Sequence, residues 1–361
     1  MPINKKLQNI ISLLEKFSNA HGVSGYEAEV REIFKKEIEQ YVDEIKIDKM
    51  GNLIAVKKGD KPLVMIAAHM DEIGLMAKYI DNRGYIYFVT VGGFFDQTLL
   101  SQRVIVHTKK GNLVGVIGSK PPHIMEDEER KKVVKAKDMF IDIGAKSKKD
   151  AEKLGVSIGT PITIDRHFEI LANNLVTGKA FDNRAGLVML IETMKRFSRV
   201  RTKKYPTVYA VGTVQEEVGL KGARTSAFGI SPDVAIATDV NIPGDYPGIE
   251  KKDSEIEIGK GASVTVIESS GQGVIVSEKV LKWLKETAVK NKIKYQLDVS
   301  QSGMTDAAAI YLTKSGIPTG VVSVPARYIH SPMEVLSIND LDYGAELITK
   351  AILSAGKYFS S

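Results

Sequence analysis

Two hydrophobic rhythms divide the chain. In the first, short unbroken apolar runs, PLVMIAAH (62–69), TVYAVG (207–212), VAIATD (234–239) and VVSVPA (321–326), alternate with longer segments whose apolar residues recur every three or four positions. The runs predict strands buried on both faces, and the periodic segments at 5–17, 24–42, 180–197, 277–291 and 339–359 predict helices. Ser24, with Glu27 three residues on, predicts a capping box at the second helix. Strand alternating with helix implies a mixed or parallel sheet flanked by helices, its ligand crevice at the carboxyl ends of the strands.

From Gly74 to Ile164 the rhythm shortens. AKYIDNRGYIYFVTVGG, QRVIVHTKKGNLVGVIG, MFIDIGAKSKKDAEKLGV and GTPITI read as short strands broken by turn glycines, the texture of a small β-barrel-like unit. The expected fold class is α/β, with one unit built from residues 1–72 and 165–361 and an inserted β-rich unit at 73–164.

Composition narrows the chemistry. The 50 Lys and Arg exceed the 44 Asp and Glu, giving a net charge of +6, but the basic residues lie in short clusters such as RTKKY and ERKKVVKAK with acidic neighbours. No phosphate-tracking stripe results, so nucleic acid is not an expected partner. No apolar run reaches the roughly eighteen residues of a membrane span. The amphipathic opening stretch carries charges that the core of a signal peptide lacks, and the expected location is cytoplasmic. Without cysteine there are no disulfides and no thiolate sites, so any metal must rest on His, Asp and Glu.

Such residues gather where the apolar runs end. His69 and Asp71 close one run, Asp239 closes another, Glu216 and Glu217 follow a third, His330 follows the fourth, and Asp182 stands at a helix entry in GKAFDNRAG. A lone strand-end histidine is ordinarily structural, and an adjacent Glu-Glu pair is ordinarily solvated. The set as a whole points to the crevice of an α/β sheet. Two divalent cations about 3.5 Å apart need a shared anion, and Asp182, in a rigid turn at a helix N-terminus, suits that role. His69 and Asp239 would complete one ion, Glu217 and His330 the other. Glu216 is then free to take a proton from the attacking water as general base and pass it to a leaving amine as acid. Asp71 would accept the His69 imidazole N–H and fix its tautomer. On extended backbone the two glutamates would point opposite ways, one to metal and one to water.

AAHMDEIG, GKAFDNRAG, VQEEVGLKGA, ATDV and PARYIHSPMEV occur in the order and spacing of the M42 metallo-aminopeptidases, the glutamyl, deblocking and tetrahedral (TET) group, which the chain resembles over essentially its whole length. The resemblance implies a phosphorylase/hydrolase-like catalytic domain with an inserted β domain, two Zn2+ or Co2+ ions per subunit, peptide substrates with a free amine, and a twelve-subunit tetrahedral homo-oligomer. It agrees with the ligand set above. Some members of the group have been labelled cellulases, but a glycosidase needs two carboxylates flanking a sugar cleft rather than an imidazole–carboxylate cluster. A metal-dependent amidohydrolase of small molecules, and a non-enzymatic particle that uses metal for assembly, are the alternatives from other classes.

Specificity is least legible. DVNIPGDYPGIEKKD after Asp239, SQSGMTDAA (300–308) and Lys260 to Ala262 are the candidate pocket segments. Lys251 and Lys252 compete there with Asp245 and Asp253, while Ile242, Gly303 and Met304 are apolar or small, so a broad preference led by neutral aliphatic residues such as Leu is expected, with glutamyl, aspartyl or lysyl selectivity as alternatives. His107, His123, His167 and Trp283 are read as structural. The charged segment 121–138 reads as a mobile loop that could line the access route.

Overall fold

The computed structural model describes residues 5–202 and 204–359; the first four residues of the amphipathic opening stretch, residue 203 of the RTKKY cluster and the last two residues lie outside the described residues. Four parallel strands, Pro206–Thr213, Asp60–His69, Val234–Asn241 and Thr319–Arg327, lie side by side in the middle of an eleven-stranded mixed sheet. They are the four apolar runs. Leu53–Lys57 and Glu44–Ile47 extend one side, while Glu334–Ser337, Leu175–Gly178 and Glu169–Ile170 extend the other. Ala262–Ile267 pairs with Thr319–Arg327 and carries Tyr295–Val299 outside it.

Continuous apolar strands are required because both faces are covered. Along Asp60–His69, Val64, Ile66 and Ala68 pack into the larger core, whereas Met65 and Ala67 face the opposite way into a second, alanine-rich one. The first core is roofed by Lys5–Ser18, Ala28–Ile38, Phe181–Phe197 and Ile338–Ser354, and the second by Lys221–Ile230 and Ala307–Ile310. Trp283, on the helix Glu278–Lys290, is fully buried and donates its indole N–H to the Ala351 carbonyl at 3.0 Å. It is core packing with its one polar atom satisfied.

Six strands from Gly74–Ile80 to Pro161–Ile164 close into a barrel filled by Leu75, Phe88, Val104, Val106, Ile117, Ile141 and Ile162. Its short strand Phe140–Asp142 is followed by a helix, Lys148–Lys153, where strand texture was expected; Ser147 caps that helix by accepting the Asp150 N–H. Segment 121–138 is organised into short helical turns, and Val134 and Ala136 pack back on the barrel core.

The capping box expected at Ser24 and Glu27 does not form. The helix begins at Ala28 without a side-chain cap, Ser24 Oγ donates to Asp71 at 2.6 Å, and Glu27 accepts the Gly25 and Gln215 amides. Both residues are drawn toward strand-end carboxylates and loops that only the tertiary fold brings near.

Where the barrel meets the sheet, the Thr163 hydroxyl lies 2.8 Å from both His21 Nδ1 and His107 Nε2, and the two rings stand 4.7 Å apart. A hydroxyl donates once, so at least one of the two ring nitrogens must donate to it. Burial, assisted by Lys179, lowers the His21 pKa to about 4. The unfolded chain therefore protonates His21 below about 6.5 while the folded chain resists until about 4, so stability falls as pH drops across that window. His21→Asn, which keeps a polar atom near the Nδ1 position, should lose less stability between pH 6.5 and 4 than the parent in urea unfolding of metal-free protein; equal losses would show that this junction does not titrate.

Candidate metal centre

All the singled-out side chains reach one crevice because the four central strands end together. His69 is the last residue of its strand and pairs in register with Thr213, Asp239 lies two residues from the end of its own, and Glu216 and His330 follow theirs by three residues. Asp182 enters from the first turn of Phe181–Phe197 with φ −77° and ψ 99°, outside helical geometry, which turns its carboxylate inward. Ala180, Gln215, Tyr328 and His330 hold left-handed backbone with φ between 55° and 65°. Such residues cost about 1–3 kcal/mol each and collect where a site dictates the chain path.

Two ligand groups result. His69, Asp182 and Asp239 offer donor atoms within 4.8 Å of one another, and so do Asp182, Glu217 and His330. Asp182 belongs to both. Its Oδ1 is 3.0 Å from His69 Nε2 and its Oδ2 is 3.4 Å from His330 Nε2, so each oxygen faces one group. Asp239 stands 3.9 Å from His69 Nε2, and Glu217 stands 3.5 Å from His330 Nε2. Glu216 approaches His69 to 3.8 Å without entering either group.

The other ring nitrogens are fixed. His330 Nδ1 is 2.9 Å from the Gly93 carbonyl, and His69 Nδ1 is 3.0 Å from the Asp71 carbonyl, so each can donate there and turn Nε2 inward. The tautomer-fixing bond expected from the Asp71 carboxylate is thus made by its backbone; the carboxylate lies 3.5 Å from Nδ1. Its oxygens accept instead from the Glu216 amide at 3.0 Å, the Glu217 amide at 3.1 Å and Ser24 Oγ. The glutamate pair is not on extended backbone either. It opens a turn in which the Gly219 and Leu220 amides both donate to the Glu216 carbonyl. The side chains nonetheless part, Glu217 into one donor group and Glu216 into neither, while Asp71 accepts both of their amides.

Electrostatics describe a site short of positive charge. Burial, with the Asp182 charge, raises Glu217 to about 8, and burial raises Asp239 and Glu216 well above the usual carboxylate range. His330, hydrogen-bonded to Asp182, is raised to about 10. Burial opposes protonation of His69, yet Glu216 and Asp182 overrule it and its pKa rises too. Asp182 is lowered despite burial because both imidazoles bond to it. Glu217 Oε1 is buried with no partner. Carboxylate and imidazole donors held this way, with an unfilled acceptor among them, fit divalent cations.

Sequence reasoning passed over three neighbours. Glu334 accepts the Asp182 amide at 2.9 Å. Asp306 accepts from Thr213 Oγ1 at 2.5 Å and leaves its Oδ1 unpaired. Below them, Glu72 bonds Lys179 at 2.7 Å and Arg184 at 3.1 Å, all three buried. Glu334 and Glu72 sit inside quoted motifs, and the apolar residues around them were the available signal. His123 and His167 lie away from these groups, and His107 belongs to the barrel junction.

A family model described as M42 glutamyl aminopeptidase matches residues 51–347. The lysyl aminopeptidase of Pyrococcus furiosus is 36% identical, over 94% of this chain and 96% of that protein. An aminopeptidase structure from the archaeon Desulfurococcus kamchatkensis superposes with a TM-score of 0.91 at 41% identity, covering 97% of this chain and 96% of the other. The TET1 peptidase of Pyrococcus horikoshii, described as able to assemble into a tetrahedron or a large octahedral shell, matches with a TM-score of 0.85 at 35% identity over 95% of this chain and 99% of that one.

Asp71 gives this geometry a direct check. Asp71→Asn must turn an amide donor toward one of the Glu216 and Glu217 N–H groups, so kcat/KM should fall about 10- to 100-fold, as for other groups that orient ligands. Ser24→Ala, which removes one of three bonds to that carboxylate, should cost less. Steady-state kinetics on both variants decides it, and an unchanged Asp71→Asn enzyme would remove Asp71 from the support of the pair.

Proposed function

The chain belongs to the M42 aminopeptidase family, and from that premise we propose that it is a di-metal aminopeptidase that removes the first residue from peptides with a free amine. The observation that carries this reading is the placement of Asp182, one oxygen toward each imidazole, with Glu216 beside both groups and in neither. His69, Asp182 and Asp239 would hold one ion, and Asp182, Glu217 and His330 the other. When bound, two such ions supply an acidified water and Lewis-acid polarisation of a carbonyl. Glu216 takes the proton from the attacking water and delivers it to the leaving amine. Glu216 is buried beside both donor groups and belongs to neither, which leaves it free to hold that proton between the two steps. Zinc and cobalt both suit imidazole with carboxylate, and either is proposed.

For the first side chain we propose breadth led by neutral aliphatic residues. The charges of the segment after Asp239 are taken up in pairs: Asp245 binds Arg327 at 2.6 and 3.0 Å, Lys251 pairs with Glu257 and Lys252 with Glu250. Met304 and Ile242 are about half exposed there. Lys260 to Ala262 leads into a strand and is pinned through the Gly261 amide to Asp340. A lysyl preference, which the Pyrococcus furiosus relative's name carries, is the second reading. Asp298, Glu268 and Asp306 are buried near one another, and no lysine or arginine is among the main charges acting on them.

A homo-oligomer is proposed as well, since the barrel exposes Tyr79, Val89, Val114 and Val116, and a tetrahedral dodecamer is the assembly that its TET relatives suggest. Light scattering should find the active species far above the 39.6 kDa of one chain; an active monomer would refute it.

Metal analysis should return two divalent ions per chain and chelators should abolish turnover. Glu216→Gln should keep both ions and lose about 10²–10⁴-fold in kcat. Chromogenic Leu, Lys and Glu derivatives, each with free and acetylated amine, test the rest. Cleavage of the acetylated series would favour an amidohydrolase, and a Lys substrate cleaved tenfold faster than Leu, about 1.4 kcal/mol of differential binding, would favour the lysyl reading.

A further inference from the structure

Glu334 is 2% exposed, opens the strand Glu334–Ser337, and makes one bond that matters to the site, accepting the Asp182 amide at 2.9 Å. It sits four residues after His330, at the far end of the same short loop, and lines with His330, Glu217 and Asp182 a cavity of about 20 Å³. It forms no ion pair with a lysine or arginine among the described residues. The loop therefore presents a ligand at one end and a carboxylate brace at the other, and the brace bears on the one residue that both ligand groups share.

We propose that Glu334 is a positioning residue that holds the Asp182 backbone so that one carboxylate oxygen faces each ligand group, and that its loss weakens cation binding at both. This rests on the di-metal reading above. Asp182 leaves helical geometry at the first turn of Phe181–Phe197, where an amide has no partner inside the helix. Once Glu334 is removed, that amide seeks water or another acceptor, and the carboxylate it aims turns with it. Because Asp182 serves both groups, the two ions must suffer together.

The test is calorimetric titration of cobalt into metal-stripped parent, Glu334→Ala, Glu334→Gln and Asp182→Ala proteins, with the melting temperature of each recorded before metal is added. Glu334→Ala should melt near the parent when stripped, yet bind both ions about 10- to 100-fold more weakly. Glu334→Gln keeps an acceptor oxygen and should recover most of that affinity. Parent affinity in Glu334→Ala, or a lowered metal-free melting temperature with affinity intact, reduces Glu334 to a helix cap and overturns the proposal. A glutamine variant as weak as the alanine one also overturns it, since charge rather than the hydrogen bond would then be at work. If the parent protein takes up fewer than two ions, the di-metal reading itself fails; if Asp182→Ala still binds both ions as the parent does, Asp182 is not the shared ligand and the proposal falls with it; if Asp182→Ala loses them while Glu334→Ala does not, only the role of Glu334 falls.

Discussion

Everything near the crevice is arranged around one shared carboxylate. Asp182 faces His69 with one oxygen and His330 with the other, and this sharing forces anionic and imidazole groups from four strand ends into a volume where water cannot screen them. Burial at such a point makes each added carboxylate harder to ionise, as the raised Glu217, Asp239 and Glu216 record. Folding alone does not resolve the conflict. Two protonated imidazoles can offset it only in part, whereas divalent cations would answer it directly.

Holding unfavourable groups in place requires rigidity from outside the ligand set. Asp71 takes the amides of both glutamates, Ser24 fixes Asp71, and Glu27 takes the amide of Gln215 just upstream. Deeper, Arg184 and Lys179 enclose Glu72 and also bind main-chain carbonyls of Met70, Phe17 and Ala20. That buried triad ties the strand end carrying His69 to the turn carrying Asp182. Removing Glu72 would leave Lys179 and Arg184 charged and without their carboxylate in the interior, which is far costlier than losing an exposed pair.

The parts of this plan legible in sequence are those with a local physical signature. A parallel strand covered on both faces must be continuously apolar, so the four central strands and the polar residues closing them stood out. The barrel announced itself through closely spaced turn glycines. Ser24 and Glu27 match a capping box in their own spacing, but the acceptor and donors that win them, Asp71 and the Gln215 amide, arrive from 47 and 188 residues away. Asp306 gives no local cue, since it looks like a helix-start aspartate, and Glu334 offers only the apolar residues around it, among which it looks like a polar residue entering a strand. The strands Ala262–Ile267 and Tyr295–Val299 escaped because they lie toward the side of the sheet, where alternation is weaker and the apolar run is shorter.

The barrel is part of the site as well as a neighbour of it. His330 Nδ1 lies 2.9 Å from the carbonyl of Gly93, which follows the barrel strand Ile86–Val91. A β-carbon on Gly93 would stand 3.1 Å from that same nitrogen, and one on Gly92, already at φ +81°, would meet Ile73 at 2.6 Å and the Glu217 side chain at 3.4 Å. The two glycines are thus what allows a barrel loop to close over two members of one donor group. His330 is itself left-handed and partly exposed, so its own strand does little to orient the ring. The Gly93 carbonyl selects its tautomer, and a displacement of the barrel against the sheet would act on Glu217 and His330 before it reached His69 or Asp239, leaving the first ligand group intact while loosening the second.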